Sequence, residues 1–298
     1  MKTPMSRRSA LGRVTVGAAA VAVASKLSPH ATADDAKPAK LKGNIHHSAC
    51  KWCYDKIPLE QFCIAGKQIG LVAVDLLQPT DFATVKKHGL VCSMVSNPTV
   101  DGLGGITKAW NRVEHHDKLA QAYEGHIKAT ADAGFERLIC FSGNRDGLDD
   151  QKGLENCAIG LKRIMPLAEQ YKVTICMELL NSKVNHKDYQ CDNSKWGVEL
   201  VKRISSERFK LLYDIYHMQI MEGDVCATIK ENHKYYDHYH TGGVPGRNEI
   251  DDTQELHYPR IMEAILATGF KGYVAQEFVP KRPDALASLK QGVLICDV

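Results

Sequence analysis

Four side chains able to ligate a metal stand at the ends of short apolar, strand-like runs. Glu178 follows Ile175-Cys176-Met177, Asp214 follows Leu211-Leu212-Tyr213, His240 follows Tyr239, and Glu277 follows Val274-Ala275-Gln276 and precedes Phe278. A carboxylate in such surroundings is costly to bury unless it is paired or ligated. Three carboxylates close together repel one another, and a divalent cation is their natural neutraliser. Oxygen ligands with one imidazole suit Mn²⁺, Mg²⁺, Co²⁺ or Zn²⁺, and the lack of Cys at these positions argues against a closed structural zinc site. The competing reading gives each group its own salt bridge. That would suffice for one residue, but four successive strand ends favour one shared ion.

The elements that must position these groups alternate along the chain. Strands are expected at 43–50, 69–77, 90–96, 137–141, 173–179, 209–214, 235–240 and 272–278. Helices are expected at 58–67, 80–88, 114–133, 154–171, 193–204, 224–232, 253–268 and 283–294. Strands separated by helices must run parallel. Eight such units in a chain of 298 residues fit a closed (β/α)₈ TIM barrel, whose functional groups gather at the C-terminal ends of the strands. No Gly-x-Gly-x-x-Gly follows the first strand, which argues against a dinucleotide-binding sheet. Trp52, after the first strand, is placed to wall a pocket. The loop Ser142-Gly143-Asn144-Arg145 offers a second anion contact in Arg145, and the loop around His186 could form a lid. His115, His116, His233 and His238 read as peripheral.

The segments Met177-Glu178-Leu179-Leu180-Asn181, Tyr213-Asp214-Ile215-Tyr216-His217-Met218-Gln219, Gly243-Val244-Pro245-Gly246-Arg247-Asn248-Glu249 and Gln276-Glu277-Phe278 resemble the hydroxypyruvate isomerase branch of the xylose-isomerase-like barrels. The likeness covers nearly all of the chain after the N-terminal segment, and the Val-Pro-Gly-Arg-x-Glu stretch is its most specific part. The resemblance implies one divalent metal ion held by Glu178, Asp214, His240 and Glu277, with His standing where relatives carry Gln or His. It implies that Glu178 and Glu277 also exchange the substrate proton, and that His217 and Arg247 contact substrate oxygens. Asn181 and Trp52 join them as expected substrate contacts. The implied reaction interconverts an aldehyde/ketone pair, hydroxypyruvate and tartronate semialdehyde or a related sugar, through an enediolate. A Lewis-acidic metal and two carboxylates on opposite faces suit such a proton transfer. Arg247, after a Pro-Gly turn, could aim a rigid fork at a carboxylate or hydroxyl pair, or else pair with Glu249 or Asp251 at the surface.

Ser6-Arg7-Arg8-Ser9, the uncharged stretch 14–25 and Ala31-Thr32-Ala33 read as a twin-arginine-type export signal over 1–33, followed by a linker at 34–42 and a single barrel at 43–298. The apolar run is too short for a stable membrane span. The expected location is therefore periplasmic, which opens the substrate class to extracytoplasmic sugar derivatives. The ten cysteines are dispersed, and several lie inside apolar runs as packing residues. The lone Cys50-x-x-Cys53 lacks the second pair of a zinc knuckle. A net charge of +3 gives no reason to expect nucleic acid as a partner, and so argues against a metal nuclease on the same barrel. A small hydroxy-carbonyl or sugar substrate is the expected partner, and a homo-oligomer is compatible with the sequence. Three other readings compete with isomerisation: ketose epimerisation, polyol dehydration, and sugar binding without turnover.

Overall fold

The structure, a computed structural model, describes residues 40–298. The expected leader and the linker up to residue 39 lie outside the described residues. In chain order the elements are β1 (His46–Ala49), α1 (Leu59–Ile69), β2 (Ala73–Val74), α2 (Phe82–Lys87), β3 (Val91–Cys92), α3 (His116–Asp132), β4 (Arg137–Cys140), α4 (Asp150–Lys162), α5 (Met165–Tyr171), β5 (Thr174–Glu178), α6 (Ser194–Ile204), β6 (Phe209–Asp214), α7 (Ile215–Met221), α8 (Val225–Asn232), β7 (Tyr236–Thr241), α9 (Tyr258–Ala267), β8 (Tyr273–Gln276) and α10 (Ala285–Cys296).

All strand pairs are parallel. Six strands form one sheet in the order β1-β8-β7-β6-β5-β4, and β2 pairs with β3. Single bridges join Cys50 to Asp75 and Val95 to both Leu77 and Leu138. They link β1 to β2, β2 to β3 and β3 to β4, which closes the ring of eight. The expected (β/α)₈ barrel is what the chain forms.

Helix faces follow the apolar spacing. In α3, Leu119, Tyr123 and Ile127 recur four residues apart and are buried, the pitch at which side chains stack on one helix face. The Tyr123 hydroxyl donates to the Ile139 carbonyl, which satisfies its polar atom against β4. Helix starts are capped by short polar side chains: Asp149 accepts from the amides of Gln151 and Lys152, Asn193 from Trp196, and Asp284 from Ala287, the usual treatment of unpaired first-turn amides.

Three expectations are corrected. The single helix expected over 154–171 is two, because Pro166 stands at the start of α5 and a proline cannot continue a preceding helix. The helix expected from residue 253 begins at Tyr258, with Pro259 in its first turn; residues before it are folded around Asp251, whose carboxylate accepts from the amide and hydroxyl of Thr253. His217 does not end a strand. It lies on α7, which starts directly after β6 and is capped by Asp214.

Candidate metal centre and active site

Strands β5, β6, β7 and β8 are neighbours, and their registers align the functional positions. Asp214 lies opposite His240, and Thr241 opposite Gln276, the residue before Glu277. One ligand atom each from Glu178, Asp214, His240 and Glu277 falls within 4.8 Å of the others. All four residues are at most 3% exposed. His240 Nδ1 lies 2.7 Å from Glu277 Oε2, 3.2 Å from Glu178 Oε1 and 4.0 Å from Asp214 Oδ2. Asp214 divides its oxygens: Oδ1 accepts the His217 amide at 3.0 Å, while Oδ2 turns to the cluster.

The electrostatics of the cluster are unbalanced. Burial and the nearby Glu277 push the Glu178 and Asp214 carboxyls above their ordinary range. Glu277 is just as buried, yet Arg247 and His240 hold it well below that range. His240 is raised despite its burial by Cys50, Glu277 and Asp75 beside it. The charge density of three buried carboxylates is thus only partly met by one guanidinium and one imidazole. A divalent cation fits this set: three carboxylates and an imidazole nitrogen converge on one point, and the donors are the hard and borderline kind that such ions take.

Arg247 is delivered by the loop after β7. Gly243 must lack a side chain, since an added Cβ would lie 2.3 Å from the Glu249 carbonyl oxygen. Gly246 and Arg247 both have positive φ, 96° and 58°. The turn is tied to the segment after β8: the Val279 amide donates to the Arg247 carbonyl at 2.7 Å, and Glu249 accepts from the amides of Lys281 and Arg282 and from Ser288 Oγ. Arg247 therefore pairs with Glu277 at 2.6 Å and Asp214 at 3.4 Å, not with Glu249 or Asp251. Its guanidinium lies over the rings of Trp52 and Tyr216, 5.2 and 5.5 Å from their centroids, a cation–π arrangement. Trp52 also donates from Nε1 to Glu277 Oε1 at 2.9 Å, so it flanks the cluster and orients that carboxylate.

His217 is fully buried, and its Nε2 finds no hydrogen-bond partner, 3.6 Å from Asp214 Oδ2. Asn181 Nδ2 donates to His217 Nδ1 at 2.6 Å, which leaves the proton of the neutral imidazole on Nε2. Asn181 Oδ1 accepts the amides of Val184 and Asn185, and its Nδ2 also reaches Asn185. The polar atoms of Asn181 are thus engaged within the protein, on His217 and on the loop around His186, whose ring packs on His217 at 5.2 Å between centroids. Arg145 is engaged as well, with Asp150, Asp192 and the Tyr189 carbonyl, so its guanidinium is taken up within the protein and pins a loop.

Sequence reading missed Asp75 and misplaced His238. Both are buried at the heart of the barrel. Asp75 Oδ2 accepts from His240 Nε2 at 2.7 Å and from His238 Nε2 at 3.1 Å, and Oδ1 accepts from Ser93 Oγ at 2.5 Å. The signal was present: Leu71-Val72-Ala73-Val74-Asp75-Leu76-Leu77 embeds a carboxylate in an apolar run just as the Glu178 segment does. His116 also proves buried, accepted by the Trp110 carbonyl, while His233 is exposed.

The sequence profile of the Xylose isomerase-like TIM barrel matches residues 83–293, more than half of the chain. The chain belongs to that family. Within curated proteins, this xylose isomerase-like barrel is 31% identical to the 2-oxo-tetronate isomerase of Cupriavidus necator over 109 residues, 37% of this chain and only 41% of that relative's length. It is 24% identical to the putative hydroxypyruvate isomerase of Xenopus laevis over 242 residues, 77% of this chain and 88% of the relative. Among solved structures, an AP endonuclease, family 2, from Brucella melitensis superposes with a TM-score of 0.75 at 23% identity, over 84% of this chain and 99% of that one. At that identity the superposition speaks for the fold alone.

Proposed function

We propose that this barrel is a metal-dependent isomerase that moves a carbonyl between adjacent carbons of a small hydroxy-carbonyl compound, hydroxypyruvate or a related sugar acid or sugar. The observation that carries this reading is the placement of Glu178 and Glu277. Both carboxylates approach the same atom, His240 Nδ1, from different strands, so they flank one point. The isomerases among the relatives support the same class.

Glu178, Asp214, His240 and Glu277 would hold the ion, Mn²⁺, Mg²⁺, Co²⁺ or Zn²⁺. When bound, it supplies Lewis acidity toward the adjacent carbonyl and hydroxyl oxygens of the substrate. Glu178, whose carboxyl is pushed up by burial and by Glu277, and Glu277, which Arg247 and His240 hold down, form a pair with unlike proton affinities. Such a pair can remove a proton at one carbon and return one at its neighbour. His217 presents Nε2–H as a donor to a substrate oxygen, and Arg247, clamped between Trp52 and Tyr216, meets an anionic or hydroxyl end. The Trp52 and Tyr216 rings pack on the Arg247 guanidinium, beside carboxylates that are themselves buried.

The test is purified protein stripped by chelator, then supplied with one equivalent of Mn²⁺ and offered hydroxypyruvate and a panel of ketoses and aldoses in deuterated buffer. Activity that disappears with the metal and returns with it, with deuterium at the carbon beside the carbonyl, is expected. Inversion at a carbon with no movement of the carbonyl would instead identify an epimerase. Full turnover in the chelated protein would overturn the metal-dependent reading.

A further inference from the structure

A metal-binding histidine can present its ligating nitrogen only if the ring is held in one orientation and one tautomer. His240 sits on β7 with Nδ1 toward Glu178 and Glu277. Its other nitrogen, Nε2, points away from that cluster to Asp75 Oδ2 at 2.7 Å, the shortest contact Asp75 makes with a ring nitrogen. Asp75 comes from the end of β2, across the barrel. It is fixed there by backbone and side-chain bonds: its amide donates to the Ala49 carbonyl at 2.8 Å, and its Oδ1 takes the Ser93 hydroxyl, which Ser48 Oγ approaches at 2.6 Å in turn.

We propose that Asp75 is the positioning residue of the metal centre: it accepts the Nε2 proton of His240 in a hydrogen bond, and so leaves the Nδ1 lone pair directed at the ion. This rests on the four-ligand reading of Glu178, Asp214, His240 and Glu277. Asp75 does not touch the ion in this arrangement. Its Oδ2 is already the acceptor for three donors, His240 Nε2, His238 Nε2 and the Cys50 thiol at 3.6 Å. Cys50, Asp75 and His240 do lie close enough to form a second metal group, and the test separates that arrangement from the orienting one. The role of His238 follows from the same geometry. Its ring is perpendicular to that of His240, 82° between planes at 5.2 Å, and by sharing Oδ2 it keeps the carboxylate from rotating away.

The proposal is tested with full-length protein and Mn²⁺ alone, by calorimetric titration after chelator treatment. Wild type is expected to take one ion per chain. Asp75→Leu removes the acceptor at similar size and is expected to bind Mn²⁺ about 10–100-fold more weakly, the usual effect of losing a partner behind a metal ligand. Asp75→Asn can still accept both imidazole protons on Oδ1 while its amide donates to Ser93, so it should recover most of the lost affinity. A wild-type dissociation constant in Asp75→Leu, an Asn variant as weak as the Leu variant, or two ions per wild-type chain overturns the proposal. Wild type that binds no Mn²⁺ overturns the four-ligand reading instead. Because Asp75→Leu could fail to fold, a second measurement uses the wild type loaded with Zn²⁺: a nitrogen–proton correlation spectrum, with the His240 signals identified by their loss in His240→Gln. A proton on Nε2 and none on Nδ1 is the expected result, and the reverse tautomer overturns the assignment.

Discussion

Glu178 and Glu277 differ in surroundings more than in position. Both are buried, but Glu277 has Arg247, Trp52 and His240 as partners, whereas among the described residues the Glu178 carboxylate is hydrogen-bonded to the side chain of His240 alone. Gln keeps the size and one ligand oxygen of Glu but is a far poorer base. Glu178→Gln and Glu277→Gln should each lower kcat by at least the ~10²-fold typical of losing a general acid or base, while Mn²⁺ affinity falls less because three ligands remain. Arg247→Ala should raise KM through loss of a substrate contact and should lower kcat as well, because Arg247 is the main group that holds the Glu277 carboxyl down. Steady-state kinetics with titrated metal check all three variants; wild-type kcat in both Gln variants would remove the two carboxylates from the chemistry. At this scale the sequence was a good guide where a charged residue interrupts an apolar run, as at Glu178, Asp214 and Glu277. The same signal stands at Asp75, inside Leu71–Leu77, and was passed over there; His238 was not legible, because its partner Asp75 lies 163 positions away along the chain, a separation that no local pattern encodes.

Elements were legible to the extent that their signals are local. Strand β6 spans Phe209–Asp214, as the apolar run Leu211-Leu212-Tyr213 beside Phe209 predicts, with Lys210 as its one charged member before Asp214. The α4–α5 break was missed although Pro166 announces it, and α7 was missed because its cap, Asp214, reads first as a strand-end ligand. The loop between β7 and α9 shows how a long-range tie makes a local motif functional. Val244-Pro245-Gly246-Arg247 sets a turn, but Glu249 holds that turn against the segment after β8 through the amides of Lys281 and Arg282 and the Ser288 hydroxyl. Those bonds lower the Glu249 carboxyl despite the opposing effect of burial. Glu249→Ala leaves these donors unpaired, which costs about 1–3 kcal/mol for a buried group, and it frees the turn that aims Arg247. The expected outcome is a lower Tm together with a raised KM; Glu249→Gln, which keeps one acceptor, should fall between. A variant that loses stability but keeps its KM would separate the tie from substrate binding.

At the scale of the molecule, the closed barrel brings the two ends of the described chain together. Asp297, beyond α10, accepts the Lys42 amide on both carboxylate oxygens at 3.0 and 2.9 Å, and Asn44 donates to the Val298 carbonyl at 2.8 Å. His47 of β1 lies beneath this clasp, 1% exposed, with Nε2 3.8 Å from Asp297 Oδ1 and neither ring nitrogen hydrogen-bonded. Burial lowers its pKa from 6.5 to about 4, against the raising effect of Asp297. The folded barrel therefore holds His47 neutral at pH values where the unfolded chain would protonate it. Between those two values the unfolded state binds more protons, so stability rises with pH across the window. The contribution is complete above about pH 6.5, declines as pH falls below it, and is lost by about pH 4. A shift of this size corresponds to about 3 kcal/mol. Denaturant unfolding of metal-free protein at a series of pH values should show this loss, and His47→Gln, which cannot take up a proton, should flatten it. An equal slope in the Gln variant would assign the acid sensitivity to other groups and leave His47 without a part in it.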